Sequence, residues 1–341
     1  MKGSHKLFSA LFISLSLISS PVVMASPQPG WVTGESAEYS NDQYLIGRGV
    51  GSTQEEAGTR ARGELATIFE VRIEVSNENS ITVKQSGKKE QVDKVSTQQV
   101  SAKTDKVISG ITIAKTWLDT ASQDWHALAV LPRSQAGASL REELGKIDEE
   151  LKQRSEAAKT EKDSLLKVAA LTQALQASIK RDGFQASLKV VDPSGRGVQA
   201  PVSQATLQQQ IGEALRKVRV ASANAADEGS AEFTKIVKGG LAAAGFLSTK
   251  LDDAELVLEG SLNMVDLGRR DGWNWVRATL AVTLVEKDSG RVRGRKTWPV
   301  KASAQDPVTA RSRAMIEVEK LFKQELRSTI IDFAVNPDSS N

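Results

Sequence analysis

The sequence predicts an α/β chain of the α+β kind, with two small mixed-sheet domains joined by a helical hairpin or bent helix. Three observations predict it. Residues 44–75 compress a strand, a glycine-rich segment, a capped helix and a second alternating run into a short span. Residues 134–183 then carry apolar side chains at helical spacing through a charged background. From residue 187 onward, runs of period two alternate with runs of period 3.6, the pattern of strands exchanging with helices.

Residues 1–25 read as an export signal. Lys2 and Lys6 supply the positive start, residues 7–18 an apolar run too short for a membrane span, and Val23, Met24 and Ala25 a small-residue cleavage site before Ser26. The first domain is expected over 29–133. Its opening strand, Tyr44, Leu45 and Ile46, runs into Gly47, Gly49 and Gly51, read as a fold-defining turn where positive φ or close backbone approach becomes cheap. Thr53 and Glu56 have capping-box spacing, and Ala57, Ala61, Leu65 and Ile68 continue as a helical stripe. After Phe69 the alternation of Val71, Ile73 and Val75 with Arg72 and Glu74 predicts a strand. The polar tract 76–105 reads as an extended hairpin or an excursion. Residues 108–119 and 124–131 predict two antiparallel strands, with Trp117 and Trp125 as a cross-strand pair near their turn.

In the connector, Leu140, Leu144, Ile147 and Leu151 set one apolar face, and Leu165, Val168, Leu175 and Ile179 another. The break at 160–163, where Thr160 or Asp163 suits an N-cap, favours a hairpin or bent helix over a sustained dimeric coiled coil. The second domain is expected over 187–335, followed by a tail at 336–341. It is predicted to open with a strand at 187–191 closed by the turn DPSGRG. A helix at 203–217, a strand at 218–221 and a helix at 231–244 stopped by Gly245 follow. Strands at 256–265, 273–285 and 291–302 are joined through LGRRDG and EKDSG, and a helix at 307–333 closes the domain with Pro307 in its first turn.

Composition removes several function classes. The chain has no cysteine, which excludes disulfides, thiol nucleophiles, Cys-ligated zinc and an acylated cysteine. Its two histidines are His5, inside the leader, and His126 in DWHALAV, read as a packed or solvent-edge residue. A formal charge of +3 on 341 residues argues against nucleic acid as a partner. GRGVGSTQE has glycines before a helix, but the G-x-G-x-G spacing and the missing P-loop lysine argue for a structural role over phosphate binding. Asp252, Asp253 and Glu255 precede an apolar strand and read as an exposed turn. No catalytic, metal or cofactor residues are therefore assigned, and no cofactor is expected. Candidate partner contacts are Arg60 and Arg62 on the first helix, and Arg269, Arg270, Trp273 and Trp275, where cations and aromatics gather at a loop and strand start.

The stretch YLIGRGVGSTQEEAGTRARGELATIFEVRIEV resembles the signature of the LPP20 envelope lipoproteins, a similarity extending over about 31–133. Members commonly carry a lipid-modified cysteine, which this chain lacks. DDAELVLEGSLNMVD, RATLAVTLVEKDSGRVRGRKTWPV and the closing helix resemble the small α/β fold shared by the TolB amino-terminal domain, the curli-secretion lipoprotein and the lipoprotein activator of penicillin-binding proteins. Both resemblances imply envelope assembly or partner binding, in some relatives in flagellar outer-membrane structures. The expectation is a non-enzymatic, exported protein of the periplasm or outer membrane. Its partners would be envelope proteins, with peptidoglycan, peripheral membrane contact and a homo-oligomer also admitted. The competing readings are a glycan-binding module using Trp273 and Trp275, and a carboxylate-using hydrolase of cell-wall glycan.

Overall fold

A computed structural model describes residues 27–34, 36–80, 110–224 and 230–335. The expected export signal, most of the polar tract and the expected tail lie outside the described residues. Within them the chain is α/β with two sheets.

The first sheet has the order β1-β3-β2, built from β1 (Tyr44–Gly51), β2 (Thr112–Leu118) and β3 (Trp125–Pro132), all antiparallel. Helix α1 (Gln54–Ser80) covers one face through Ala57, Ala61 and Leu65, which meet Leu45, Ala127, Ala129 and Leu131 in the core. The opposite face holds a smaller cluster in which Trp31 packs with Leu128 and Val130. Helix α1 corrects the expected strand at 71–75, because its backbone stays helical through Ser80. Val71 and Val75 are also an i, i+4 pair, and no glycine or proline stands between Glu64 and Ser80 to stop a helix already nucleated and capped. Trp117 sits opposite His126, their rings 5.3 Å apart, so the expected pairing with Trp125 is off by one register position.

The connector is a helical hairpin of α2 (Arg133–Thr160) and α3 (Ser164–Val191). Asp163 caps α3, accepting from the amides of Leu165 at 2.8 Å and Leu166 at 3.0 Å. The hairpin is pinned by Arg181, 2% exposed, whose Nε donates to Asp148 Oδ1 at 2.5 Å while Nη2 donates to the carbonyls of Val198 and Gln199, each at 3.1 Å. The expected strand at 187–191 is instead the last turn of α3. Phe184, Leu188 and Val191 are buried at helical spacing, and Pro193 sets the stop. At that helix end Arg133 donates to the carbonyls of Val190 at 2.8 Å and Val191 at 2.9 Å, a cation at the negative pole of the dipole.

The second sheet has the order β5-β4-β6-β7-β8. Helix α4 (Gln204–Leu215) leads into β4 (Arg219–Asn224), then α5 (Ser230–Ala244) and the short β5 (Leu247–Ser248), which pairs parallel with β4. Strand β6 (Leu256–Arg270) runs parallel to β4 and antiparallel to β7 (Trp273–Glu286), which pairs antiparallel with β8 (Val292–Ala304). Helix α6 (Pro307–Val335) closes the domain, and α5 and α6 pack against β6, β7 and β8 from one side. Trp298 and Phe322 meet edge to face at 5.1 Å in that core. Trp298 also donates its indole N–H to Glu325 at 3.0 Å, so the buried ring leaves no polar atom unpaired.

The second sheet is tied to the connector at the hairpin bend. Arg293 at the start of β8 forms a close ion pair with Asp163, and its Nε lies within ion-pair range of Glu286 without hydrogen-bond alignment. Burial pushes the Asp163 carboxyl up, but the Leu166 and Leu165 amides and the Arg293 guanidinium outweigh it and hold the group below its ordinary value.

Candidate functional site

Gly47, Gly49 and Gly51 are not a turn; they are strand residues of β1, paired with Ala129, Ala127 and Trp125. What they supply is close approach. A Cβ on Gly49 would stand 2.1 Å from the Ala57 carbonyl oxygen and 2.4 Å from the Ala61 nitrogen, and one on Gly47 would stand 2.4 Å from the Ala61 carbonyl oxygen. Strand and helix therefore touch backbone to backbone, with Ala57 and Ala61 as the small residues facing the glycines.

The charged residues of the same helix close the open edge of β1. Ser52 donates its amide to Glu56 at 2.8 Å, the Val50 carbonyl accepts from Arg60 at 2.7 Å, and the Arg48 amide makes a short contact with Glu64. Glu56, Arg60 and Glu64 follow at i, i+4 and i+8, so one column of side chains satisfies successive backbone groups that a further strand would have taken. Glu56 also pairs with Arg60, and its carboxyl is held low first by the Ser52 hydroxyl, then by the Ser52 amide and Arg60. Arg60, expected as a partner contact, is thus committed within the domain. Arg62 is exposed. Thr53 accepts the Glu56 amide at 3.1 Å, so the helix start is capped from its own sequence.

Two of the acidic trio before β6 have separate partners. Glu255 pairs with Arg219 at 2.9 Å, and Asp252 accepts Lys287 through its backbone carbonyl at 2.6 Å.

The remaining candidates gather at the far end of the second sheet, but not in a loop. Arg269 and Arg270 are the last residues of β6, and the turn is only Asp271 and Gly272, with φ of 51° and 80°. Positive φ at both centres suits a tight primed hairpin, which carries β6 on to Arg270 instead of the expected end at 265, while β7 starts at Trp273 as expected. Alternation then sorts the side chains. Val276, Ala278, Leu280, Val282 and Leu284 point into the core. Trp273 and Trp275 point the other way, 42% and 36% exposed. Arg270 lies opposite Trp273, whereas Arg269 lies opposite Asn274 on the helix-facing side, so the two arginines part company.

Sequence reasoning missed the rest of this outer face. Gly268 and Ser303 flank Trp275, and Val265 and Lys301 flank Arg277 in the next row. Val265 is 45% exposed. Farther along, Arg295 and Glu259 flank Thr283. Arg277 was legible by extending the Trp273, Trp275 alternation one step. Lys301 and Val265 needed the register of two neighbouring strands, which no local pattern encodes.

Among known proteins, residues 29–132 match the LPP20 lipoprotein family. The match covers the first domain, including the glycine strand and the Glu56, Arg60, Glu64 column. None of the curated proteins matches the chain. A secreted protein of Helicobacter pylori is 12% identical with TM-score 0.38, covering 83% of this chain and 97% of its own. A minor lipoprotein of Acinetobacter baumannii is 15% identical with TM-score 0.26, covering 36% of this chain and 94% of its own. A putative lipoprotein of Caulobacter crescentus is 17% identical with TM-score 0.24, covering 34% of this chain and 88% of its own. The family match is evidence for an exported, envelope-located chain. No helix among the described residues is long and apolar enough to cross a membrane.

Proposed function

We propose that this chain is a non-enzymatic binding protein of the bacterial cell envelope that holds an envelope component on the outer face of its second sheet. The observation that carries the reading is Trp273 and Trp275, side by side and exposed on a face that α5 and α6 leave uncovered. Indoles left in water on a rigid sheet are costly unless something covers them, and aromatic and arginine side chains dominate recognition surfaces. The first domain, with its edge closed by its own helix, serves as a folded attachment to the hairpin. Arg133, Arg181 and Asp163 fix that hairpin at its open end, along its length and at its bend. A periplasmic or outer-membrane site fits the export signal and the lipoprotein family match.

A photo-crosslinking amino acid placed at position 275 in living cells tests this. The reading expects covalent adducts to envelope material at 275, and none at Lys152, which is exposed on α2. Equal capture at both positions, or none at 275, would overturn it.

A further inference from the structure

We infer that the component held on this face is an anionic polysaccharide, its sugar rings lying on Trp273 and Trp275 and its acid groups meeting Arg270, Arg277 and Lys301. The inference rests on the binding role proposed above and specifies the ligand. Three features of the face select the chemistry. First, the indoles are spaced i, i+2 along one strand, about 7 Å apart, and the platform from the Arg270 row to the Arg277 row spans about 14 Å. That length suits a short run of rings laid flat along the strand. Second, the positions across from Trp275 are Gly268 and Ser303, too small to cover the indole, so the surface is planar and open. Third, the charge is one-sided. Arg270, Arg277, Arg295 and Lys301 are exposed here against two carboxylates, Glu259 and Asp271 of the hairpin turn, and no ion pair engages these cations among the described residues.

A protein partner fits this arrangement less well. Protein interfaces bury aromatic anchors in pockets at the centre and keep charge at the rim. Here cations bracket the rings, Arg270 beside Trp273 and Arg277 with Lys301 one row past Trp275, and covering them with an apolar surface would leave buried charges unpaired. A ligand that repeats an acid group and a C–H face along its length satisfies both at once.

The test is a titration of the purified full chain with polygalacturonate, dextran and poly-glutamate of matched length. The inference expects saturable binding to polygalacturonate and none to dextran, with poly-glutamate at least about tenfold weaker. Raising ionic strength from about 0.05 to about 0.5 M should weaken binding, because the contacts are solvent-exposed charges. Trp275→Ala and Arg277→Glu should each weaken polygalacturonate binding about tenfold with unchanged melting temperature. Lys152→Glu should leave binding as in the parent. Equal binding to poly-glutamate, undiminished binding by Trp275→Ala, or no binding to polygalacturonate would overturn the inference. If crosslinks still form at position 275 in cells after that failure, the binding role survives and only the ligand class is wrong.

Discussion

Replacing Gly49 by alanine is the sharpest probe of how β1 and α1 fit together. The added methyl would meet the Ala57 carbonyl oxygen at 2.1 Å and the Ala61 nitrogen at 2.4 Å, both below the 3.0 Å that real Cβ atoms respect. Those neighbours are backbone atoms inside a helix, so no rotamer change relieves the clash; the whole helix must lift from the sheet. Lifting it loosens Ala57, Ala61 and Leu65, each fully buried. Overpacking that side-chain motion relieves costs about 1–3 kcal/mol, and a backbone clash belongs at the upper end or beyond, near 3 kcal/mol. Gly63, on the same helix with nothing within 4 Å of a built Cβ, is the matched control. There alanine should stabilise by about 0.5–1 kcal/mol through helix propensity. Urea unfolding followed by circular dichroism measures both. Gly49→Ala as stable as the parent, or Gly63→Ala as damaging as Gly49→Ala, would refute the close-approach account of the glycines.

Three further outcomes follow from the packing. Asp148→Ala leaves the Arg181 guanidinium buried without its carboxylate and should cost about 3–5 kcal/mol by calorimetry, whereas an exposed pair would cost under about 1 kcal/mol. Asp163 has a folded pKa below its unfolded one, so its stabilisation is present above the ordinary carboxylate range and is lost as pH falls through the folded value. Asp163→Asn should therefore lower the urea midpoint at neutral pH and flatten its decline in acid; an unchanged acid limb would contradict the Asp163 to Arg293 latch. Arg60→Ala removes a donor to Val50 at an exposed edge and should cost less than about 1.5 kcal/mol while raising the share of larger species in size-exclusion chromatography. A strictly monomeric variant with impaired envelope crosslinking at position 275 would return Arg60 to the list of contacts.

Much of the architecture was legible because single features with one physical meaning mark it. Of the two cap candidates, Thr160 and Asp163, the one directly before the apolar run caps α3, and Gly245 after α5 and Gly195 in DPSGRG take the positive φ their positions suggested. The failures share a cause. Residues 71–75 and 187–191 are short apolar runs that fit period two and helical spacing alike, and only cooperative extension of a helix already formed decides between them. The glycines of β1 were recognised as special, but their partner is a helix, and contact between a strand and the backbone of the next helix leaves no mark beyond the small Ala57 and Ala61. At the candidate site the indoles were found because Trp273 and Trp275 gather with two arginines in one short stretch. Arg269 was named with Arg270 because LGRRDG was read as a loop, whereas the bulge between Asp266 and Gly268 sets it on the helix-facing side, and Lys301 was missed because it arrives from β8.

The central claim is that Trp273 and Trp275 are the working surface while the buried Trp31 and Trp298 serve the fold. Fluorine NMR of the protein labelled with 5-fluorotryptophan, each resonance assigned by single substitution, measures this directly when solubilised cell-envelope material is added. The account predicts that the Trp273 and Trp275 signals shift or broaden while that of Trp298, 2% exposed, stays fixed. Movement of other tryptophans with Trp273 and Trp275 unmoved would contradict it.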